Sequence, residues 1–224
     1  MELKKSKIML VLVIPFAFIC GFLFYFFYGT PWDLISHKNK VNEYLENIYN
    51  KDFVIEKTSF DFFHSRTYHS YAHPKESPDL TFYVGQNTST REIEDSYNYQ
   101  LWEKQAKDEL GPIVEELFPD LFNYSVEIYP IRNLSTSEKS ENLYFKEYTT
   151  VEIGISMNDY DITNENRDNE IKRVYRLLVS LKEKGIEFHH FSVSYNNKTI
   201  QLQPDIIHSI NSSNELERWL NDYR

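Results

Sequence analysis

From Ile8 to Tyr28 almost every position is apolar, with only Pro15 and Gly21 as breaks. At a rise of about 1.5 Å per residue the run spans a hydrocarbon core of about 30 Å, and it predicts a transmembrane helix. Beyond Pro31 the pattern changes to short periodic segments. Val41, Tyr44, Leu45 and Ile48 have helical spacing. Phe53–Phe63, Thr67–His73 and Leu80–Gly85 are rich in β-branched and aromatic residues and predict an antiparallel meander. A long helix is expected from about Thr90 to Phe118, opened by a Ser89 to Glu92 capping box and kinked at Gly111-Pro112. Tyr124–Tyr129 then reads as a strand.

The stretch from Asn133 to Asn142 is polar and aperiodic, so a linker is expected there. After it, Val151, Ile153, Ile155 and Met157 alternate as in a half-buried strand. Ile171, Val174, Tyr175, Leu178 and Leu181 mark a helix closed by Gly185. Phe188–Tyr195 and Thr199–Gln203 form a hairpin through Asn196-Asn197. A final helix is expected from Ser212, with Leu216, Trp219, Leu220 and Tyr223 on one side. The expected fold class is α+β: a single N-terminal transmembrane helix, then a two-lobed extracytoplasmic region of antiparallel sheets with packed helices. The expected divisions are 1–30 for a cytoplasmic stub and anchor, 31–132 for an N-terminal lobe, 133–147 for a linker and 148–224 for a C-terminal lobe.

The flanks of the apolar run refine its meaning. It is longer than the apolar core of a cleaved signal peptide, and Phe27-Tyr28-Gly29-Thr30-Pro31 is a poor cleavage site. Cys20 follows Ile19 mid-run, which does not suit lipid modification. Lys4, Lys5 and Lys7 precede the run, so the positive-inside rule retains the N-terminus in the cytoplasm and exports the rest. Tyr25, Tyr28 and Trp32 would form an aromatic belt at the outer surface. The expected location is the cell membrane, single-pass, with residues 8–28 in the bilayer.

Charge and composition exclude several roles. The chain carries 34 acidic against 24 basic residues; setting aside Glu2, Lys4, Lys5 and Lys7 leaves 33 against 21, a net charge of −12 outside. Nucleic acid requires clustered Lys or Arg, so it is not an expected partner. The sole cysteine lies in the apolar run, which leaves the exterior without disulfides or thiol chemistry. The chain is rich in Lys, Asn, Ile, Tyr and Phe and poor in Ala and Gly, the usage of an AT-rich genome and of a Gram-positive cell envelope. Aromatics make up 16% of residues, and outside the apolar run most fall at strand or helix periodicity, where core packing accounts for them.

Candidate chemistry is sparse. His69 and His73 share a strand face but stand about 13 Å apart at about 3.3 Å per residue, too far for one ion; His189 and His190 point to opposite faces. The acidic loop from Asp159 to Glu170 places Asp159, Asp161, Thr163 and Glu170 at positions 1, 3, 5 and 12 of a calcium loop. Asn164 stands in place of the turn glycine, Arg167 in place of a position that often binds through water, and a strand precedes the loop, so it reads rather as a solvated loop that caps the next helix than as a calcium site. No nucleophile elbow, zinc-protease helix, phosphate-binding glycine loop or Cys-His pair is present. No cofactor is expected and no catalytic residue is assigned.

Asn50-Lys51-Asp52-Phe53, followed by Thr67-Tyr68-His69-Ser70-Tyr71-Ala72-His73-Pro74-Lys75-Glu76-Ser77-Pro78-Asp79-Leu80-Thr81-Phe82-Tyr83-Val84-Gly85 and the helix holding Trp102, resembles the YfjL-like proteins of Bacillus-type bacteria. The resemblance covers about the first 130 residues. It implies a small membrane-anchored protein and brings no catalytic residues with it. The expected function is a membrane-tethered extracytoplasmic binding or sensing module with a protein or peptide partner. The alternatives are an extracytoplasmic enzyme, such as a hydrolase, with a site between the lobes, and a calcium-responsive module.

Overall fold

The computed structural model describes the backbone of residues 2–157 and 159–222, and side chains from Val13 onward. The side chains of Lys4, Lys5 and Lys7, and Tyr223 of the expected last helix, lie outside the described residues. The chain divides into two compact units, Met1–Tyr97 and Asn98–Arg224.

The first unit opens with α1 (Glu2–Tyr28), which continues through Pro15. It holds the one helix among the described residues that is long and apolar enough to cross a membrane, and from Val13 to Tyr28 its large side chains are exposed. Gly29 ends it at φ 76°, a left-handed conformation that glycine adopts without strain. An added Cβ there would also meet the Tyr68 hydroxyl at 2.9 Å. Thr30 then starts α2 (Pro31–Tyr49): its Oγ1 accepts from the Asp33 N–H at 3.1 Å, and Pro31 occupies the first turn. His37, Val41, Leu45 and Tyr49 recur every four residues and form the buried stripe of α2.

That stripe packs on an antiparallel meander of β1 (Phe53–Asp61), β2 (Thr67–Pro74), β3 (Phe82–Gln86) and β4 (Ile93–Asp95), in that spatial order. The expected meander is therefore present, with β4 as an addition. The expected helix from Thr90 is corrected here. The Asn87 side chain accepts from the Ser89 and Thr90 N–H groups in a local turn, and Ile93–Asp95 pairs with β3. The helix α3 (Tyr97–Leu117) begins only after Asp95, whose carboxylate accepts from the Tyr97 N–H at 2.9 Å. It continues through Pro112.

In the second unit the sheet runs β5 (Asn123–Pro130), β6 (Thr149–Ser156), β7 (Phe188–Ser194), β8 (Lys198–Leu202), β9 (Leu220–Asp222). The short helix α4 (Phe145–Tyr148) leads into β6, and α5 (Arg167–Glu183) connects β6 to β7. Because a full helix crosses between them, β6 and β7 pair in parallel, so this sheet is mixed where antiparallel sheets were expected. After β8 come α6 (Pro204–Ser209), α7 (Ser213–Leu216) and a 3-10 turn over Glu217–Trp219. The expected last helix thus gives way to an edge strand, since Leu220–Asp222 pairs with β8. One core joins Ala106, Leu110 and Val114 of α3, Val174, Leu177 and Leu181 of α5, and the alternating Val151, Ile153 and Ile155 of β6.

The expected boundary at 133–147 is also corrected. That segment joins β5 to its neighbour β6, which pairs with it from Asn123↔Ser156 to Pro130↔Thr149. Leu134 and Leu143 pack on the core and Phe145 is fully buried. The Gln105 side chain clasps the segment, donating to the Leu143 carbonyl at 3.2 Å and accepting from the Phe145 N–H at 3.1 Å. The division falls instead after Tyr97, the first residue of α3, so the rest of α3 and β5 belong to the second unit.

Candidate functional site

In the first unit, β1 is the terminal strand of its sheet. A groove of about 450 Å³ lies between it and α2, lined by Lys38, Asn42 and Glu46 on the helix and by Phe53, Val54 and Ile55 on the strand. Period 2 turns Phe53 and Ile55 inward and leaves Val54 exposed. The four-residue helical repeat places Lys38, Asn42 and Glu46 in a polar row along the opposite wall. Asn42 Nδ2 donates to Glu46 Oε1 at 2.6 Å. The β1–β2 register slips between Ile55 and Lys57, and a bulge of this kind bends an edge strand locally. Lys51 reaches Glu76 at 2.8 Å at the mouth of the strand. The arrangement can take an extended chain: backbone groups on one side, a polar wall on the other, and an apolar floor.

The solvent face of the same sheet carries Tyr71 and Tyr83 half exposed. His69 stacks on Tyr83 at 5.7 Å, and Tyr71 meets it edge-on at 6.2 Å. His73 does not share a ligand with His69. Its Nδ1 lies 2.8 Å from the Pro74 carbonyl and its Nε2 3.7 Å from Glu56. In the second unit His189 stacks on Tyr129 at 4.0 Å, whereas His190 lies 3.6 Å from Glu152.

Of the calcium-loop residues, Asp161, Thr163 and Glu170 each bond to different partners. Asp159 adopts φ 57°, and Asp161 Oδ1 accepts from the Asn196 amide at 3.0 Å. The Thr163 N–H donates to Asn166 Oδ1 at 2.7 Å, so Asn166 braces the loop rather than capping α5 with its side chain. The Ile162 backbone exchanges two bonds with the Asn197 amide. Glu170 is only 6% exposed. Its carboxylate accepts from the Tyr160 hydroxyl at 3.1 Å, the Tyr195 hydroxyl at 3.2 Å and Arg173 at 3.2 Å. Arg173 in turn donates to the Leu117 carbonyl at 2.6 Å and lies over the Phe118 ring at 4.4 Å. Burial, then the Glu170 charge, pushes the Tyr195 hydroxyl well above its usual range. Among the described residues no group of three or more His, Cys, Asp or Glu side chains is placed to hold a metal ion.

Two elements escaped sequence reasoning. Asp95 accepts from the hydroxyls of Tyr44 and Tyr49, each at 2.8 Å. His37 is 4% exposed, and its Nε2 has no hydrogen-bond partner. Burial, then His69 and Lys40, lowers its pKa to about 4. The four-residue spacing of His37 from Val41 is the one signal that could have found it, and nothing in the sequence marks a missing partner.

No family model matches the chain, and no curated protein matches it. Among solved structures, a DUF5037 family protein from Ruminococcus gnavus is similar at 15% identity, over 75% of this chain and 76% of that chain, with a TM-score of 0.36.

Proposed function

We propose that the protein is a membrane-tethered, extracytoplasmic module of a bacterial envelope that binds an extended protein or peptide segment along β1. The observation that carries the binding part is the groove between that terminal strand and α2. Strand addition uses backbone hydrogen bonds for affinity and side-chain contacts for selection; the terminal edge of β1 supports the first, and the polar row of Lys38, Asn42 and Glu46 beside Val54 the second. The tether is supported by the apolar α1 with its exposed side chains, and the topology by the three lysines that precede its apolar run. The YfjL-like resemblance points the same way.

A photo-crosslinking residue at Val54 of the full chain, in its native membrane, tests the groove. One discrete protein adduct is expected at Val54 and none from the same probe at Glu165, an exposed loop position of the second unit. Equal adducts at both positions, or none at Val54, would remove β1 as the binding edge. Protease added to wall-stripped cells should digest the chain beyond Pro31; protection of that portion would overturn the topology.

A further inference from the structure

The turn between β1 and β2 is aromatic and packs on the last turn of α1. The Phe62 ring centre lies 4.6 Å from that of Phe26 and 4.8 Å from that of Phe27, and Phe63 stacks on Phe27 at 5.8 Å. Phe63 is nevertheless 77% exposed. An open groove of about 450 Å³ runs between Phe27, Tyr28, Phe60 and the tip. A soluble surface does not ordinarily present such a large ring beside an already exposed aromatic stripe.

The depth of this tip follows from its contacts. Phe26 and Phe27 lie at the outer end of a run whose length matches a hydrocarbon core, so they stand at the boundary between acyl chains and headgroups. Rings that touch them stand at the same level. The charges agree with that placement. The Arg66 guanidinium sits 5.4 Å over the Phe62 ring, a cation at headgroup level. The one carboxylate of the tip, Asp61, is held within the turn itself, accepting from the His64 N–H at 3.1 Å and the Ser65 hydroxyl at 3.1 Å. Whatever solvates the last turn of α1 must also reach Phe63, because the two surfaces are continuous.

We infer that the β1–β2 tip, through Phe62, Phe63 and Arg66, inserts into the outer headgroup region of the bilayer and gives the first unit a second, shallow membrane contact beside α1. This rests on the tether reading of α1. An interfacial contact of aromatic rings with a neighbouring cation is of the kind that seats monotopic surfaces on lipid. It would hold the first unit against the membrane instead of letting it swing on Gly29 and Thr30.

Depth-dependent quenching tests it on the full chain in lipid vesicles. One sample carries an environment-sensitive probe on the native Cys20; the other carries it on Phe63→Cys in a Cys20→Ser background. The Cys20 probe should be quenched by lipids spin-labelled near the acyl-chain terminus. The residue-63 probe should be quenched several-fold more by lipids spin-labelled near the headgroup. His64→Cys, at a side chain 88% exposed, provides a second site if the first perturbs the turn. A quenched Cys20 probe with unquenched tip probes would overturn the inference and leave the tether standing. Unquenched probes throughout would remove the tether and the inference with it. A blue-shifted but unquenched tip would show a protein surface, such as a second copy, covering it, and would also overturn the proposal.

Discussion

The unit ending at Tyr97 covers four strands with the single amphipathic helix α2, whereas the unit from Asn98 covers five strands with two helices, α3 and α5. The thin first core is filled by large rings: Tyr97 meets Tyr49 at 4.6 Å, Phe82 at 5.2 Å and Phe53 at 5.5 Å. The second core is mostly aliphatic. Aromatic rings bring much buried area per residue, which suits a layer with few positions to contribute. The cost is polar residues drawn inside, including His37 and Ser70. Each unit also sets a carboxylate between two phenols, buried at Glu170 and half-buried at Asp95, but Glu170 adds a guanidinium and Asp95 accepts a backbone N–H at the start of α3. One fastens a loop to a helix; the other fastens a strand end to a helix.

Removing these carboxylates should separate the units most sharply. Glu170→Ala leaves Arg173 without its buried counter-charge and Tyr195 without its acceptor, a loss of about 3–5 kcal/mol. Denaturant titration followed by the fluorescence of Trp102 and Trp219, both in the second unit, should show it. Asp95→Ala should cost roughly 2–3 kcal/mol, confined to the first unit, as the Tyr44 and Tyr49 hydroxyls lose their shared acceptor. Equal costs, or losses spread over both units in segment-resolved hydrogen exchange, would break the comparison.

A smaller contrast comes with acid. The folded pKa of His37 is depressed to about 4 from 6.5, so below pH 6.5 the unfolded chain takes up a proton that the folded one does not. Stability present above pH 6.5 is therefore lost as the pH falls toward 4, by about 2 kcal/mol after allowance for solvent screening. Exchange protection around α2 should fall in that window, and His37→Phe should abolish the fall. A wild-type slope in the variant would assign the acid response elsewhere.

The helix ends provide the smallest test. Both α2 and α5 close on a left-handed residue, Asn50 at φ 49° and Gly185 at φ 72°. An added Cβ at Gly185 meets nothing within 4 Å, so Gly185→Ala should cost only the backbone term of about 1 kcal/mol. Asn50→Gly should change stability by a few tenths of a kcal/mol, since asparagine already tolerates that conformation. Chemical denaturation of each variant checks both.

Elements with a long, uninterrupted period were legible in the sequence. The alternation Val151, Ile153, Ile155, Met157 appears as β6 and its continuation, and Ile171, Val174, Leu178, Leu181 as the buried face of α5. The misread elements are those where a local signal competed with a distant strand. Ser89 and Glu92 looked like a helix start, but pairing with β3 captured Ile93–Asp95. Leu216, Trp219 and Leu220 had helical spacing, but β8 offered Leu220–Asp222 an edge. Polarity between Asn133 and Asn142 looked like a linker, although Leu134, Leu143 and Phe145 anchor that connection. In the candidate groove, Lys38, Asn42, Glu46 and Val54 are ordinary surface residues by type, so only their meeting along β1 marks them.

By itself the sequence determined the apolar run of α1, the net negative charge, the α+β class and the inward faces of its longest elements, because these depend on local periodicity and composition. The tertiary structure alone decided that β6 and β7 run parallel, that the division falls at Tyr97, that Glu170 is clasped by Arg173 and two phenols, and that Phe62 and Phe63 lie against the end of α1. Those outcomes are contacts between residues far apart in the chain, chosen by which strand edge and which core surface each segment could bury, and no local pattern encodes that choice.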